Sequence, residues 1–323
     1  MTEGRLPRIL AIADRPGWAI DNKTLNLQRV LGGRFEILER FQHEVTEADL
    51  DAADLVLVYY WLELLKMPLS EAALASRSRR LVMGVCSHYE LDGPLREPGL
   101  AVLRRLPDAV FVNNRSLERE FAPLLDLPVH YTPNGVDTSF FRPPPEPRER
   151  RPGRLRVGWA GTLANMSPSH RGFHDLIEPA IAAVPGADLL TAIREQHWRN
   201  REEMLDFYRG LDAYVCASRN EGTPNPCLEA AACGVPLVTA RVGNMPELVR
   251  DGENGLFVDR RVEDLAAKLT LLRDSPELAS RLVAHMLETI RGWDWRVQAE
   301  NYARLFDVVL AADRRPVPYS ARA

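Results

Sequence analysis

The amino-acid sequence predicts an α/β protein of two doubly wound, Rossmann-like domains that face each other across a cleft. Three observations lead to this prediction. Short apolar runs alternate with helical patterns in both halves of the 323-residue chain, which is typical of parallel sheets covered by helices on both faces. A proline-rich segment separates the two halves. The chain is also long enough for two domains that each bury a core.

The first half, residues 1–141, is predicted to be the N-terminal domain. Its expected strands are residues 8–13, 35–38, 54–60, 80–86, 109–113 and 129–132. Its expected helices are residues 22–31, 72–77 and 116–125, with Ser116 as the N-cap of the last one. Residues 142–153 carry five prolines among charged residues and no apolar face, which indicates a stiff interdomain linker. A ligand for a proline-recognition domain is the weaker interpretation of this segment.

The second half repeats the alternation, and residues 154–293 are predicted to be the C-terminal domain. Its expected strands are residues 156–159, 187–193, 213–218, 237–240 and 255–258. Its expected helices are residues 172–184, 202–211, 226–233, 246–250, 262–273 and a further one between Ser275 and Gly292. Residues 294–315 form a last predicted helix with a single apolar stripe.

The composition of the sequence limits the classes of protein and of partner that need to be considered. A net charge of −4, with 46% hydrophobic and 27% charged residues, indicates a globular protein without a nucleic-acid partner. The four cysteines show no paired metal-ligand spacing, so a reducing, cytoplasmic location is expected. No apolar run is long enough to cross a bilayer. Basic residues allow a weak peripheral contact with anionic lipid, namely Arg77, Arg79, Arg80, Arg104 and Arg105.

The most informative stretch is residues 219–229. It places Glu221 where a buried strand is predicted to end, and Glu229 in the following helix, for which Asn225 is the expected N-cap. In an open parallel sheet, ligands bind in this crevice. A carboxylate accepts from two neighbouring hydroxyls of a ribose, and a helix N-terminus favours phosphate. The stretch therefore predicts a site for a nucleotide sugar.

The same stretch resembles the signature of the retaining glycosyltransferases of family 4, also called group 1. The matching residues are Glu221, Glu229, 233–238, 243–249 and 251–258, together with 133–137 and Phe141 ahead of the linker. The resemblance implies a GT-B fold, with an N-terminal acceptor domain, a C-terminal donor domain and a last helix that crosses back onto the first domain.

The resemblance also implies roles for donor-domain residues. Glu229 is expected to bind the donor ribose, and Glu221 to lie beside the sugar hydroxyls near the reacting carbon. Arg171 stands where the family has a phosphate-binding lysine, and Thr162 where it has an arginine, with His170 as a further contributor of charge. The remaining expected donor-binding residues are Gly161, Gly222, Thr223, Pro224, Asn225 and Arg194, with backbone N–H groups of Thr223 to Asn225 facing sugar and phosphate.

In the acceptor domain, Asp14, Gly17 and Trp18 follow the first strand and are expected to bind the acceptor. Trp18 is equally explained as a packing residue. His88 follows another predicted strand, at a position similar to that of a family histidine that touches the donor sugar, and we expect it to be catalytic.

The resemblance thus implies a retaining sugar transfer from a nucleotide diphosphate sugar, with UDP favoured and GDP second, to a hydroxyl of a small molecule, saccharide or lipid-linked glycan. Beyond this cosubstrate no cofactor is expected, and no metal is required. The sequence contains no Ser-His-Asp order and no NTPase-type phosphate loop. Two rivals stay open: a sugar-nucleotide epimerase on the same two-domain plan, and a catalytically silent nucleotide-sugar-binding subunit, which Thr162 motivates.

Overall fold

A computed structural model of the protein describes residues 5–69, 71–74, 79–146, 152–164 and 169–312. The chain divides into two compact units. Unit 1 comprises Met1–Asn134 and Trp295–Ala323, and unit 2 comprises Gly135–Asp294. The predicted linker, residues 142–153, is grouped with unit 2 by its contacts and lies partly outside the described residues, so its role as a linker stays a prediction.

Unit 1 is built on a parallel sheet of six strands in the order β2-β1-β3-β4-β5-β6. The strands are β1 (Arg8–Ala13), β2 (Glu36–Phe41), β3 (Leu55–Val58), β4 (Arg80–Val85), β5 (Ala109–Val112) and β6 (Val129–Tyr131). The helices are α1 (Ala19–Leu31), α2 (Glu47–Asp51), α3 (Glu71–Leu74), α4 (Arg96–Arg105) and α5 (Arg115–Phe121). Short 3-10 helices cover Trp61–Lys66, His88–Leu91, Gly93–Leu95 and Ala122–Leu124. The strand order reverses at β1, which pairs with both β2 and β3.

Unit 2 is built on a parallel sheet of five strands in the order β11-β10-β9-β7-β8. The strands are β7 (Leu155–Gly161), β8 (Ala187–Ile193), β9 (Ala213–Cys216), β10 (Leu237–Thr239) and β11 (Leu256–Phe257). The helices are α6 (Glu178–Ala182), α7 (Arg201–Arg209), α8 (Asn225–Ala232), α9 (Met245–Leu248), α10 (Val262–Asp274) and α11 (Pro276–Ile290). A π-helical turn at Phe173–Ile177 leads into α6, and a 3-10 turn covers Arg291–Trp293.

The last helix, α12 (Trp295–Ala311), returns to unit 1, as the sequence predicts. Its apolar stripe packs on the sheet, where the rings of Tyr302 and Phe111 lie 5.8 Å apart and those of Phe306 and Phe35 lie 5.3 Å apart. The Tyr302 hydroxyl also donates to the Thr132 carbonyl at 3.3 Å. Burial of these aromatic side chains, about 150–250 Å² each, holds the helix in place.

Several local predictions are wrong for identifiable reasons. Helix α5 begins at Arg115, because Asn114 rather than Ser116 caps it by accepting from the Leu117 N–H at 2.9 Å. Helices α2 and α4 were not predicted. Arg79 does not face solvent, since its side chain is buried and pairs with Asp51 Oδ1 at 2.9 Å. Arg77, another residue of the predicted lipid contact, lies outside the described residues.

Candidate active site

The candidate site lies at the carboxyl edge of the unit 2 sheet. Strand β7 pairs with β8 on one side and with β9 on the other, so the strand order reverses at β7. Connections from such a strand leave in opposite directions and open a crevice, which is where ligands bind in doubly wound sheets. Gly161 ends β7 and Glu221 follows β9, so two of the predicted site residues flank this crevice.

An ion pair joins the predicted anion and cation of the site. Arg171 Nη1 donates to Glu221 Oε1 at 2.8 Å, and the side chains are 25% and 15% exposed. The Ser218 hydroxyl donates to the same oxygen at 2.7 Å. Within the described residues, no donor reaches Glu221 Oε2. This second oxygen is therefore the one that can accept from a bound hydroxyl.

Arg171 is held with part of its donor capacity unused. Its Nε is buried and has no hydrogen-bond partner among the described residues. A Cβ placed on Gly161 would lie 3.7 Å from Arg171 Cδ, so the arginine stem passes close to the end of β7. A guanidinium carries its donors in one plane, and the one paired with Glu221 keeps a further N–H for a phosphate oxygen.

The backbone around Arg171 is fixed by a second arginine that the sequence did not indicate. Arg260 donates from Nε to the Ala217 carbonyl at 2.6 Å and from Nη2 to the Ser169 carbonyl at 3.1 Å. Gly172 has φ +68°, and a Cβ there would lie 2.9 Å from the same Ala217 oxygen. Arg260 is thus a positioning residue, because it ties the segment before Arg171 to the end of β9.

His170 does not supply the positive charge expected of it. The side chain is 7% exposed. Burial lowers the pKa of His170, and the neighbouring charges of Arg171 and Arg260 lower it further, against the opposing effect of Glu221. A histidine with a lowered pKa is neutral at pH 7. Arg171 therefore carries the fixed positive charge beside Glu221.

Glu229 projects from α8 and is held by a tyrosine. The Tyr208 hydroxyl donates to Glu229 Oε2 at 2.6 Å. Burial raises the pKa of Glu229 to about 7, although Tyr208 and Arg201 both act to lower it. A carboxylate that is desolvated in this way gains from any hydroxyl that donates to it. Tyr208 was not predicted as a site residue, because it comes from α7 and reaches Glu229 only in the folded unit.

The turn between Glu221 and α8 differs in detail from the prediction. Helix α8 includes Asn225, and Pro224 occupies the cap position without a side-chain cap bond. The Asn225 N–H donates to the Thr223 carbonyl at 2.9 Å, so it is committed to the turn and not directed at a ligand. Gly234, just past the helix, has φ +76°, the left-handed conformation that its position predicts.

A neighbouring loop supports this turn from beneath. Gly243 has φ +54°, and a Cβ there would lie 2.4 Å from the Gly222 carbonyl oxygen. The buried Asn244 donates from Nδ2 to Thr223 Oγ1 at 3.0 Å. Only glycine allows this approach of two backbones. Residues 243–249 belong to the part of the sequence that resembles the family. In the structure, Gly243 packs against the backbone of Gly222 and Asn244 binds the side chain of Thr223, so these two residues support the turn.

The side chain of Thr162 hydrogen-bonds to the carboxylate of Glu195. Its hydroxyl hydrogen-bonds Glu195 Oε1, and the backbone N–H groups of Leu163 and Ala164 donate to Glu195 at 3.3 and 3.2 Å. Although burial acts to raise it, the net effect of these hydrogen bonds lowers the pKa of Glu195. Three donors at the end of β7 thus form an anion-binding turn, which Glu195 fills. Arg194 donates its backbone N–H to the Gly161 carbonyl at 3.0 Å.

The predicted acceptor residues lie in unit 1, after β1. Gly17 has φ +71°, and its N–H donates to the Asp21 carboxylate. The Trp18 ring is partly buried and lies under the Arg15 guanidinium at 5.1 Å. Asp14 is partly buried, and one of its oxygens has no hydrogen-bond partner among the described residues. These three neighbours are thus brought to the carboxyl edge of the unit 1 sheet.

His88 also belongs to unit 1. Its Nδ1 lies 2.7 Å from Glu120 Oε2, and Arg96 Nη1 lies 3.1 Å from the other oxygen of that carboxylate. The His88 side chain is 29% exposed. A carboxylate on Nδ1 fixes the orientation of the ring and leaves Nε2 as the nitrogen for a ligand.

The described residues also bear on metal binding and on membrane insertion. They contain no group of three or more His, Cys, Asp or Glu side chains arranged to hold a metal ion. None of the helices in the described part of the chain combines the length and apolar character needed to span a membrane. Cys86, Cys216, Cys227 and Cys233 are free thiols.

Comparison with known sequences finds relatives of the part of unit 2 that contains Glu221 and Glu229. Residues 188–286 match a protein-family model described as glycosyl transferases group 1. A D-inositol 3-phosphate glycosyltransferase of Thermomonospora curvata is 39% identical over 120 residues, or 36% of this chain and 28% of that protein. A second enzyme of this name, from Thermobispora bispora, is 27% identical over 71% of this chain and 64% of its own length. The matches therefore span less than two thirds of these two relatives.

A further relative covers more of both chains. A GDP-mannose-dependent alpha-(1-6)-phosphatidylinositol monomannoside mannosyltransferase of Mycolicibacterium smegmatis is 28% identical over 277 residues, or 73% of this chain and 72% of that protein. Among solved structures, the sucrose-phosphate synthase of Thermosynechococcus elongatus aligns with a TM-score of 0.75 at 14% identity, over 95% of this chain and all of that one. Anabaena HepE in complex with UDP and glucose aligns at 0.72 and 15% identity, over 93% and 99%. These alignments confirm the predicted fold class.

Proposed function

We propose a catalytic role for this chain from the premise that it belongs to the group 1 glycosyltransferases and has the GT-B fold. Unit 2 binds a nucleotide diphosphate sugar, and the enzyme moves the sugar to a hydroxyl acceptor bound by unit 1. The Arg171–Glu221 ion pair is the observation that carries this proposal. It joins a cation to a carboxylate in the segment that follows β9, next to the strand at which the sheet order reverses, and this supports a ligand site there.

Each residue of the donor site has a proposed task. Glu229 accepts from the ribose hydroxyls with the oxygen that Tyr208 leaves available. Glu221 Oε2 accepts from a hydroxyl of the donor sugar, because Arg171 and Ser218 both donate to Oε1. The exposed part of the Arg171 guanidinium, whose side chain is 25% accessible, donates to the diphosphate. As the glycosidic bond breaks, the leaving nucleoside diphosphate gains negative charge, and a preorganised guanidinium stabilises this charge in the transition state.

We further propose retention of the anomeric configuration and no requirement for a divalent metal. The acceptor hydroxyl attacks on the face from which the diphosphate departs, and the departing phosphate takes its proton. The bond from the sugar carbon to phosphate oxygen breaks as the bond to the acceptor oxygen forms, so charge and protons balance. The ion pair that orients Arg171 supports its assignment as the group that holds the leaving diphosphate, a task that a metal ion performs in other enzymes.

The nucleotide and the compartment are also proposals. UDP remains the first expectation for the base, with support from the complex of HepE with UDP and glucose. GDP is the second, with support from the GDP-mannose-dependent relative. The four free thiols favour a cytoplasmic location.

The proposal is tested by incubating the purified protein with UDP- and GDP-sugars, with and without EDTA, and with a panel of acceptors. We expect transfer or slow hydrolysis with one nucleotide series, insensitivity to EDTA, and a product whose anomeric NMR coupling matches the donor. One observation favours the silent-subunit alternative: Glu195 fills the three-donor turn at Thr162. Nucleotide binding without any turnover would support that alternative.

A further inference from the structure

Unit 1 carries a group of two buried and two partly buried carboxylates that the donor site does not explain. Strand order reverses at β1, between β2 and β3, so the crevice of this sheet opens beyond the ends of these strands. Asp14 follows β1, Glu39 lies on β2, and Glu63 lies in the 3-10 helix after β3. Asp21, on α1, accepts from the Gly17 N–H. We call Asp14, Asp21, Glu39 and Glu63 the acidic pocket.

The pocket has acceptor atoms without donors. Glu63 is only 2% exposed, yet its Oε2 has no hydrogen-bond partner among the described residues. The same holds for one buried oxygen each of Asp14, Glu39 and Gln42. A buried polar atom left unpaired costs about 1–3 kcal/mol, and more when it is charged. Such a cost at the switch point of a sheet indicates a site whose donors come from a ligand.

Repulsion among the carboxylates adds to this cost. Burial raises the pKa of Glu39 to about 7, against a hydrogen bond with Thr24 that lowers it. The charge of Asp21, a hydrogen bond with Asp21 and the charge of Asp14 raise it further. Burial also raises the pKa of Glu63, where Lys66 opposes and Asp14 reinforces the effect. The charge of Asp14 thus raises the pKa of both glutamates, and burial raises the pKa of Asp14 itself. The carboxylates therefore act on one another as a single anionic group.

The cations nearby do not neutralise the pocket. Lys66 Nζ lies 3.5 Å from Glu63 Oε1, but this lysine is 54% exposed. The Arg15 guanidinium is placed over the Trp18 ring at 5.1 Å. Lys23 is buried with its ammonium 5.1 Å from the Tyr59 ring centre. The charges of Arg15 and Lys66 act to lower the pKa of Asp14 and of Glu63, but burial outweighs them at both carboxyls.

We propose that the acidic pocket is the acceptor subsite and that it selects a hydroxylated acceptor bearing an amine, such as an amino sugar or aminocyclitol. This inference rests on the proposed function, since it names the acceptor class of the same enzyme. An ammonium group supplies three donors and a positive charge. It can therefore donate to the unpaired oxygens of Glu63, Glu39 and Asp14 and offset their negative charge. Neighbouring hydroxyls of the acceptor donate to the remaining oxygens, including that of Gln42.

Charge distinguishes this class of acceptor from others. A neutral polyol offers hydrogen bonds but leaves the mutual repulsion of the carboxylates in place. A phosphorylated acceptor brings further negative charge beside Asp14 and Glu63, and the repulsion between these like charges disfavours its binding. The amine is therefore the group that gains most from this pocket.

The test compares acceptors that differ only in one group on two ring scaffolds. Glucosamine, glucose and glucose 6-phosphate form one set, and an aminodeoxyinositol, inositol and inositol phosphate form the other. Binding to the full chain is measured by saturation-transfer NMR and titration calorimetry with the preferred nucleotide present. We expect the amine of at least one set to bind about tenfold or more tightly than its hydroxyl counterpart, with the phosphate weakest.

Two variants connect this preference to the pocket. Glu63→Gln and Glu39→Gln remove charge with little change of shape, and each should reduce amine binding to the level of the neutral sugar while leaving nucleotide binding intact. Glu63→Gln should also keep Tm, because the amide has the size of a buried carboxylate whose Oε2 has no hydrogen-bond partner among the described residues, and an unchanged Tm shows that lost binding is not caused by unfolding. Glu44→Gln, at an exposed glutamate of the same unit, is the matched control and should change nothing.

The outcomes separate this inference from the proposed function. Intact nucleotide binding with no amine preference in either set, or with a preference for phosphate, overturns the inference alone. An amine preference that survives both pocket variants also overturns it. Failure of every nucleotide to bind instead contradicts the proposed function, whatever the acceptors do.

Discussion

Arg171 donates from Nη1 to Glu221 Oε1 across 2.8 Å, so the cation and the anion predicted for the donor site form one ion pair. The pair explains how a charged glutamate is kept at the end of β9 with only 15% of its side chain exposed. It also orients both groups before any ligand binds. The consequences of changing either partner follow directly.

Glu221→Gln should reduce kcat far more than donor affinity. The amide preserves the size of the side chain, but it weakens the charge-assisted bond from Arg171 and places a weaker acceptor beside the donor sugar. We expect a loss of roughly 10²-fold or more, the size typical of one preorganised polar group. Steady-state kinetics measure this effect. Ser218→Ala is the comparison, since it removes the other donor to the same oxygen but keeps the Arg171 ion pair; a hydrogen bond to a charged group is worth about 1.5–3 kcal/mol.

Arg171→Lys and Arg171→Ala should differ strongly in turnover. Lysine keeps the positive charge but loses the planar set of donors, and we expect roughly a tenfold loss. Alanine leaves both Glu221 and the departing diphosphate without a cation, and we expect about 10²- to 10³-fold. Rates for both variants are compared at saturating donor. Equal activity of the alanine variant and the unmodified protein would remove Arg171 from the mechanism.

Donor binding should strengthen as the pH rises through about 7, because that is where Glu229 ionises. Only the carboxylate accepts from both ribose hydroxyls, so protonation below this pKa weakens binding. Stability has the opposite sign: a raised folded-state pKa favours the protonated fold, so stability is lost as the pH rises from the ordinary value of 4.5 to about 7. Calorimetric titrations across this range, with Glu229→Gln as the variant that lacks the ionisation, measure the first effect.

Glu195→Gln should tighten binding of nucleoside diphosphates. The carboxylate fills the turn formed by Thr162, Leu163 and Ala164, and an anionic ligand has to overcome its charge to reach these donors. We expect an affinity gain of about twofold to fivefold, since exposed charge interactions are worth up to about 1 kcal/mol. Glu202→Gln, on the exposed start of α7, is the matched control. Weaker binding in the Glu195 variant would mean that this carboxylate helps the donor site.

Gly243→Ala should disturb the donor loop through the backbone. A Cβ at this position would lie 2.4 Å from the Gly222 carbonyl oxygen, and φ is +54°. We expect a loss of about 1–3 kcal/mol in the free energy of unfolding, with a fall in activity because Glu221 precedes Gly222. Urea denaturation measures the first quantity. Gly292→Ala, where a Cβ meets no atom within 4 Å, should be nearly neutral.

The sequence predicted the framework of the fold because buried parallel strands leave a strong local signal. Strands β3, β5 and β9 are buried at every residue, and each was expected as a continuous apolar run. The resemblance to group 1 glycosyltransferases and the GT-B fold are confirmed by the family match and by the alignment with solved structures. Caps were less predictable, since Asn114 and Ser116 suit an N-cap equally well on propensity.

The contacts within the site could not be predicted from sequence patterns, because they join residues that are distant in the sequence. Tyr208 reaches Glu229, and Glu195 reaches Thr162, only after distant segments have paired in the sheet. Thr162 was identified from the sequence as a departure from the family pattern, but its carboxylate partner, Glu195, was not. The pairing of Arg171 with Glu221 was likewise unforeseen, because neither residue's spacing indicates that they meet.

The most direct test of the account is a nucleotide panel in a thermal-shift assay on the unmodified protein and Glu229→Ala. UDP, GDP, ADP, CDP and the corresponding monophosphates are compared at matched concentrations. We predict that UDP, or failing that GDP, raises Tm of the unmodified protein, since a ligand at one hundred times its Kd adds about 2.7 kcal/mol, and that Glu229→Ala abolishes the shift. No shift with any nucleoside diphosphate, or an equal shift in the variant, would contradict a donor site built around Glu229.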